Sequence, residues 1–194
     1  MRPIQYNREE VLNKATDLFW ERGFQTTTLQ EILDATGFNR HSLYENFGNK
    51  DGLFHEVLGN YKARFRELTS GILYDVEPDL TSIRKLFELR KQPDLLGYGC
   101  LAANTIAEKV AVEPEVFNMA VGFYEEVRSR LNVCLSNALA KGQIPEGKNV
   151  EQMSLFVISI LYGLGFLSKA GMNSSEAEAI ADQTIQFLTM PLPV

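Results

Sequence analysis

Asn39, Arg40, His41 and Tyr44 lie close together in the stretch TTTLQEILDATGFNRHSLYENFGNKDGLF, residues 26–54. An amide, a guanidinium, an imidazole and a phenol are the donors and acceptors that hydrogen-bond base edges and phosphates in a DNA groove. The chain offers little for catalysis. It has no glycine-rich phosphate loop, no G-x-S-x-G turn, and only His41 and His55 to serve as imidazole bases. Cys100 with His55 matches no catalytic spacing, so no catalytic residue and no enzyme is expected. Cys100 and Cys134 show no metal-ligand spacing, so neither a metal nor another cofactor is expected.

The elements that would position the four residues are legible from their caps. Thr28 and Glu31 form a capping box, so a helix starts beside Thr28 and carries Leu29, Ile32 and Leu33 on its apolar face. Gly37 supplies the left-handed backbone that ends it. Asn39 caps a second helix running to about Asn46, in which Leu43 and Phe47 face inward and Asn39, Arg40, His41 and Tyr44 occupy the exposed start. Asn49 caps a third element, with Asp51 in its first turn.

With the preceding helix, this pattern resembles the tetracycline-repressor-like (TetR) regulators of bacteria. The residues that carry the likeness are Leu18-Phe19, Gly23, Thr27-Thr28, Ile32, Gly37, Leu43-Tyr44, Phe47, Lys50 and Leu53, spread over residues 7–54. Leu33 and Thr36 depart from the usual small residues at the helix crossing, Asn39 from the usual Ser, and His41 from a frequent Gly. The resemblance implies an all-α chain in which an N-terminal three-helix helix-turn-helix DNA-binding domain, residues 1–49, joins a helical ligand-binding and dimerisation domain, residues 50–194. It implies a dimeric, sequence-specific transcription regulator acting as a repressor at a near-palindromic double-stranded operator. Arg40 and His41 are expected to reach base edges, Asn39 a base or phosphate, and Thr28, Tyr44 and Lys50 to hold phosphates. The plainer readings are core packing for Phe47 and Tyr44, capping alone for Thr28, and a solvated charge for Arg40.

The net charge of −6 opposes contact with nucleic acid, which is driven by neutralising phosphates. The deficit is not shared evenly. Residues 1–66 hold nine Lys or Arg and nine Asp or Glu, whereas residues 67–194 hold ten and sixteen. Arg2, Arg8, Arg40 and Lys50 would give the neutral N-terminal part a basic edge. The longest apolar run, Leu155 to Leu167, has 13 residues, too few to cross a bilayer, and no signal peptide is visible; a cytoplasmic protein with no membrane partner is expected.

The remaining chain reads as helices. Asn7 and Glu10 cap the first, which Gly23 closes; residues 50–68 form a connecting helix. Others are expected over 80–91, after a break at Asp75 to Asp79, then over 100–111 and from Pro114 to about Lys141. A loop with Pro93, Gly97 and Gly99 separates the second and third of these four. The last two span 150–170 and, from a Ser175–Glu178 capping box, 175–190. Ten of the 13 residues from Leu155 to Leu167 are apolar and surround the helix, which calls for two packing partners. One is its own domain; the other is the same helix pair of a second subunit, in a homodimer through helices 150–170 and 175–190. A fully buried helix in a monomer is the alternative.

Phe87, Leu96, Tyr98, Cys100, Asn104, Phe123, Tyr124, Phe156, Tyr162 and Phe166 bring many aromatic and a few polar groups to the helical domain. They suit a small apolar or aromatic effector, although aromatics at helical spacing also build ordinary cores. Cys100, at a helix start, opens an alternative in which the same fold senses oxidants or electrophiles through a thiolate; a buried structural cysteine is the bland reading, and Cys134 falls on a packing seam.

Overall fold

The structure is a computed structural model that describes residues 7–89 and 98–192. Arg2, Leu96 and the loop residues Pro93 and Gly97 lie outside the described residues. Among those described there are nine helices and no strands, as expected of an all-α chain. They are α1 Arg8–Arg22, α2 Leu29–Thr36, α3 Arg40–Phe47, α4 Lys50–Leu68, α5 Leu80–Leu89, α6 Leu101–Ala107, α7 Pro114–Ala140, α8 Val150–Lys169 and α9 Ser174–Thr189. The described residues gather into two compact units. One takes the chain through Phe65 together with Leu101–Phe123; the other takes Arg66–Cys100 and Tyr124 onward. The division is not sequential: α6 and the first turns of α7 join the N-terminal helices.

The first unit is built on aromatic rings. Phe19 of α1 and Phe54 of α4 lie 4.9 Å apart, and Phe24, from the turn after α1, lies 4.8 Å from Phe54. Phe19 and Phe54 are among the largest fully buried side chains, so truncating Phe54 to alanine would cost about 3–5 kcal/mol. Polar contacts fix α4 against α1: Asn60 donates to Asn13 and Thr16 at 2.9 and 3.0 Å, and Arg64 pairs with Asp17 at 2.7 Å. Farther along α4, Tyr61 and Phe65 meet the ring of Phe123 edge-on at 5.8 and 5.1 Å.

In the second unit Ile83, Leu86 and Phe87 of α5, Leu131 of α7, Val157 and Leu164 of α8 and Ile185 of α9 are all buried, and α9 packs against both α5 and α8. Asp79 anchors the start of α5. Its carboxylate accepts the Thr81 N–H at 2.9 Å and pairs with Lys141 at 2.9 Å and Gln143 at 3.0 Å. The Lys141 ammonium, then the Thr81 N–H, hold the Asp79 carboxyl down at about 2.

Two expectations need correcting. The capping box of α9 is Asn173 with Glu176, not Ser175 with Glu178: the Asn173 side chain accepts the Glu176 N–H at 3.0 Å and Glu176 accepts the Asn173 N–H at 2.9 Å. Both pairs satisfy the spacing, and the helix begins at the earlier one. By length and composition alone, helix α8, with 20 residues, is long and apolar enough to cross a membrane, as the core helix of a soluble protein also can be, whereas the 13-residue run by itself is too short. The helix extends that run to both sides, and only 39% of its most apolar window is buried.

Candidate nucleic-acid interface

Each step of the α2–α3 segment has a local cause. The Thr28 side chain accepts the Glu31 N–H while Glu31 accepts the Thr28 N–H at 2.8 Å, closing the expected capping box. The hydrogen bonds from Thr28 hold the Glu31 carboxyl below its ordinary range. Gly37 ends α2 in the left-handed region at φ 75°. Thr36, one of the departures at the helix crossing, is buried yet satisfied: its hydroxyl donates to the Ile32 carbonyl at 2.6 Å and accepts the Phe38 N–H at 3.3 Å. Asn39 then caps α3 by accepting the Ser42 N–H at 2.8 Å, and Asn49 accepts the Gly52 N–H at 2.7 Å at the start of α4.

Leu43 and Phe47 are the buried side of α3, and Phe47 lies 6.0 Å from Phe38. The opposite side is open. Asn39, Arg40, His41 and Tyr44 are all exposed, and Tyr44 is 47% exposed despite its large ring. Thr28 is also exposed. Phe47 is therefore the core aromatic of the pair and Tyr44 the surface one.

The expected basic edge is more engaged. Lys50 lies half-buried with its ammonium 4.3 Å from the Phe24 ring centre. Desolvation lowers its pKa, against the opposing pull of Asp51, Glu108 and Glu31. Arg8 pairs with Glu56 and lies 5.3 Å from the Phe47 ring centre, so it ties the start of α1 to α4 and α3. Sequence reasoning passed over Glu45, whose carboxylate stands 3.4 Å from the His41 imidazole. Its four-residue spacing from His41 was the available signal.

The expected effector residues divide between the units. Asn104 on α6 and the buried Phe123 belong to the first; Phe87, Tyr98, Cys100, Tyr124, Phe156 and Tyr162 belong to the second. Within the second unit, Tyr124 and Tyr162 stack at 5.8 Å with 26° between ring planes. Burial, then the neighbouring Cys100, pushes the Tyr162 hydroxyl well above the ordinary phenol range. Phe156 does not join them; it lies 4.8 Å from Phe187, which is 48% exposed. Phe87 is core, and Tyr98 is at the surface. The buried Tyr162 hydroxyl, Asn132 carbonyl oxygen and Arg128 Nε have no hydrogen-bond partner. Tyr124, Arg128 and Asn132 follow one another at intervals of four on α7, hence along one face. A separate open cleft is lined by Leu167, Ala170, Gly171, Met172, Glu176, Ala179 and Ile180, none of them an expected effector residue. Cys134 is fully buried, and that burial pushes its thiol up to about 12. Among the described residues no cluster of three His, Cys, Asp or Glu could hold a metal.

Residues 11–57 match the model of the bacterial regulatory proteins of the tetR family, and residues 81–184 match that of the tetracyclin repressor-like C-terminal domain. The chain is 27% identical to the HTH-type transcriptional repressor ComR of Escherichia coli, over 96% of this chain and 90% of that one. It is 26% identical to the repressor BdcR of the same species, over 67% of this chain and 66% of BdcR. Among solved structures, a cysteine-substituted TetR family regulator CifR in complex with 26-base-pair double-strand operator DNA superposes with a TM-score of 0.81 at 22% identity, covering 96% and 98% of the two chains. Reduced NemR of E. coli gives 0.80 at 18% identity, again over 96% and 98%. The two family matches span both compact units and include the capped α2–α3 pair. The chain thus belongs to the tetR family and is a DNA-binding transcriptional regulator.

Proposed function

We propose that the protein is a homodimeric repressor that leaves a near-palindromic operator when a small apolar or aromatic effector binds. The observation that carries this is α3, which buries Leu43 and Phe47 and presents Arg40, His41 and Tyr44 outward. A helix so capped and so divided can lie in the major groove with its N-terminal residues at base edges. Arg40 and His41 read bases, Asn39 a base or phosphate, and Thr28 and Tyr44 hold phosphates. Lys50 adds charge near the backbone from its seat on Phe24. The acidic remainder of the chain takes no part in this contact, and the protein acts in the cytoplasm with its operator.

A dimer is supported by the open side of α8 and α9. Leu155, Phe166 (75% exposed) and Leu167 on α8, with Phe187 on α9 and Met190 just after it, leave apolar surface uncovered in one chain. A second copy covering that surface builds a two-fold four-helix arrangement, and the two reading helices then address half-sites roughly 34–36 Å apart or a multiple of that. The effector reading is supported by the stacked Tyr124 and Tyr162 and by the buried, unpartnered Tyr162 hydroxyl, a group that a ligand or a water would satisfy. An effector that favours one arrangement by about 1–3 kcal/mol changes operator affinity about 5- to 150-fold. The thiol-sensor reading through Cys100 is not favoured, since the likeness to cysteine variants of CifR is at 22% identity and carries the fold alone.

Footprinting on the DNA flanking the protein's own gene is the test. A protected two-fold site, lost on addition of one of a panel of small aromatics, quinones or aldehydes, is the expected result. Protection that no member of a broad panel alters would remove the effector, and absence of any protected site would remove the repressor.

A further inference from the structure

Glu45 stands at the point of α3 farthest from the core. A helix turns by about 100° per residue, so Glu45 lies nearly opposite the mean direction of Leu43 and Phe47, and His41 about 40° from that opposite line. Leu43 is 0% and Phe47 7% exposed, whereas the His41 and Glu45 side chains are 81% and 63% exposed. His41 Nε2 and Glu45 Oε1 are 3.4 Å apart, so a donor and an acceptor sit side by side on the outermost strip of the helix.

A full negative charge there is costly beside phosphates unless it meets a donor. An ionised carboxylate only accepts hydrogen bonds. In the major groove guanine presents acceptors, and thymine an acceptor and a methyl group; adenine sets its N6 donor beside the N7 acceptor, which repels a carboxylate. Cytosine N4 alone offers a donor without an adjoining acceptor on the same base. Its guanine partner places O6 and N7 next to it, matched to a donor such as the His41 N–H.

We propose that Glu45 is a specificity-determining residue that accepts from cytosine N4 at one C·G pair of each half-site, with His41 donating to the paired guanine. The inference rests on the reading of α3 as the groove-entering helix. Glu45 works largely by exclusion, because every base pair lacking a donor at that place leaves the carboxylate desolvated and repelled.

Selection from a randomised duplex library tests this with the full-length protein, Glu45→Ala and Glu45→Gln. The side chain is exposed, so both substitutions leave the core intact. The parent is expected to enrich C·G at one position per half-site, with roughly 5- to 150-fold weaker binding when that pair is replaced. Glu45→Ala should weaken the preference at that position only, leaving the part that His41 contributes through the guanine. Glu45→Gln should move it to A·T, because an amide pairs with adenine N6 and N7. Identical selected sites from all three proteins would overturn the assignment of Glu45 while leaving DNA binding in place. A parent that enriches no sequence would overturn the groove-entering reading itself, and this inference with it.

Discussion

Glu108 holds the backbone of Phe24: its carboxylate accepts the Phe24 N–H at 2.9 Å and the Gln25 N–H at 3.2 Å, across more than eighty positions of sequence. The contact lies inside the first compact unit, where Glu108 immediately follows α6 and Phe24 begins the turn into α2. Gly23 completes it. At φ +86° that residue favours glycine, and a Cβ there would come within 2.5 Å of Glu108 Oε1.

Removing the carboxylate leaves two backbone donors without their acceptor. Glu108→Ala is therefore expected to destabilise the unit by about 1–3 kcal/mol and to speed hydrogen exchange at Phe24 and Gln25, with Glu108→Gln in between. Amide exchange read residue by residue checks this. Unchanged protection at both amides would show that the carboxylate does not hold the turn.

Tyr44 separates a phosphate contact from a packing role. The residue is 47% exposed, so Tyr44→Phe should leave thermal stability unchanged. Loss of one hydrogen bond, about 0.5–1.5 kcal/mol, should weaken operator and random DNA alike by about 2- to 12-fold without altering the salt slope. A fall in melting temperature with unchanged DNA affinity would assign Tyr44 to packing.

Phe166 is the most exposed aromatic of α8, at 75%. In the proposed dimer a carboxylate there would be desolvated against the second copy, so Phe166→Glu should yield a folded monomer that no longer occupies a two-fold operator. Sedimentation at micromolar concentration tells the outcomes apart. A variant that stays dimeric would place the interface elsewhere.

Asp79 gives the second unit a defined acid response. Its carboxyl is held at about 2, below the ordinary 3.8, chiefly by Lys141. A carboxyl lowered on folding contributes stability that is complete above the unfolded value and is lost as the pH falls through the folded one. The parent should thus lose stability relative to Asp79→Asn between about pH 4 and pH 2, and the two should run parallel above pH 5. Urea unfolding at successive pH values measures this; parallel curves throughout would show that the Lys141 pair contributes nothing.

What was legible in the sequence was local. Thr28 with Glu31, and Asn39 and Asn49, cap within three residues, so the helix starts around the recognition segment could be read one by one. The same rule is degenerate where two pairs overlap, as Asn173–Glu176 and Ser175–Glu178 do, and there it picked the wrong start. Glu108 falls in the stretch expected to be helical over 100–111, and nothing near it in sequence signals that it lies past the helix end at Ala107 with the turn at Phe24 as its partner. Arg8 and Lys50 carry the charge expected of a DNA edge, but Glu56, Phe47 and Phe24 engage them, and those neighbours exist only once α1, α3 and α4 are packed.

The central claim is that the exposed side of α3 confers sequence-specific DNA binding. Affinity for the DNA upstream of the protein's own gene and for random DNA, measured as salt is varied for the parent and for an Arg40→Ala/Tyr44→Ala double variant, tests it most directly. The account predicts a parent that favours the upstream DNA by about 10³-fold or more and a double variant that loses most of that ratio while staying folded. Equal affinity for the two DNAs, or a double variant that binds the upstream DNA as the parent does, would contradict it.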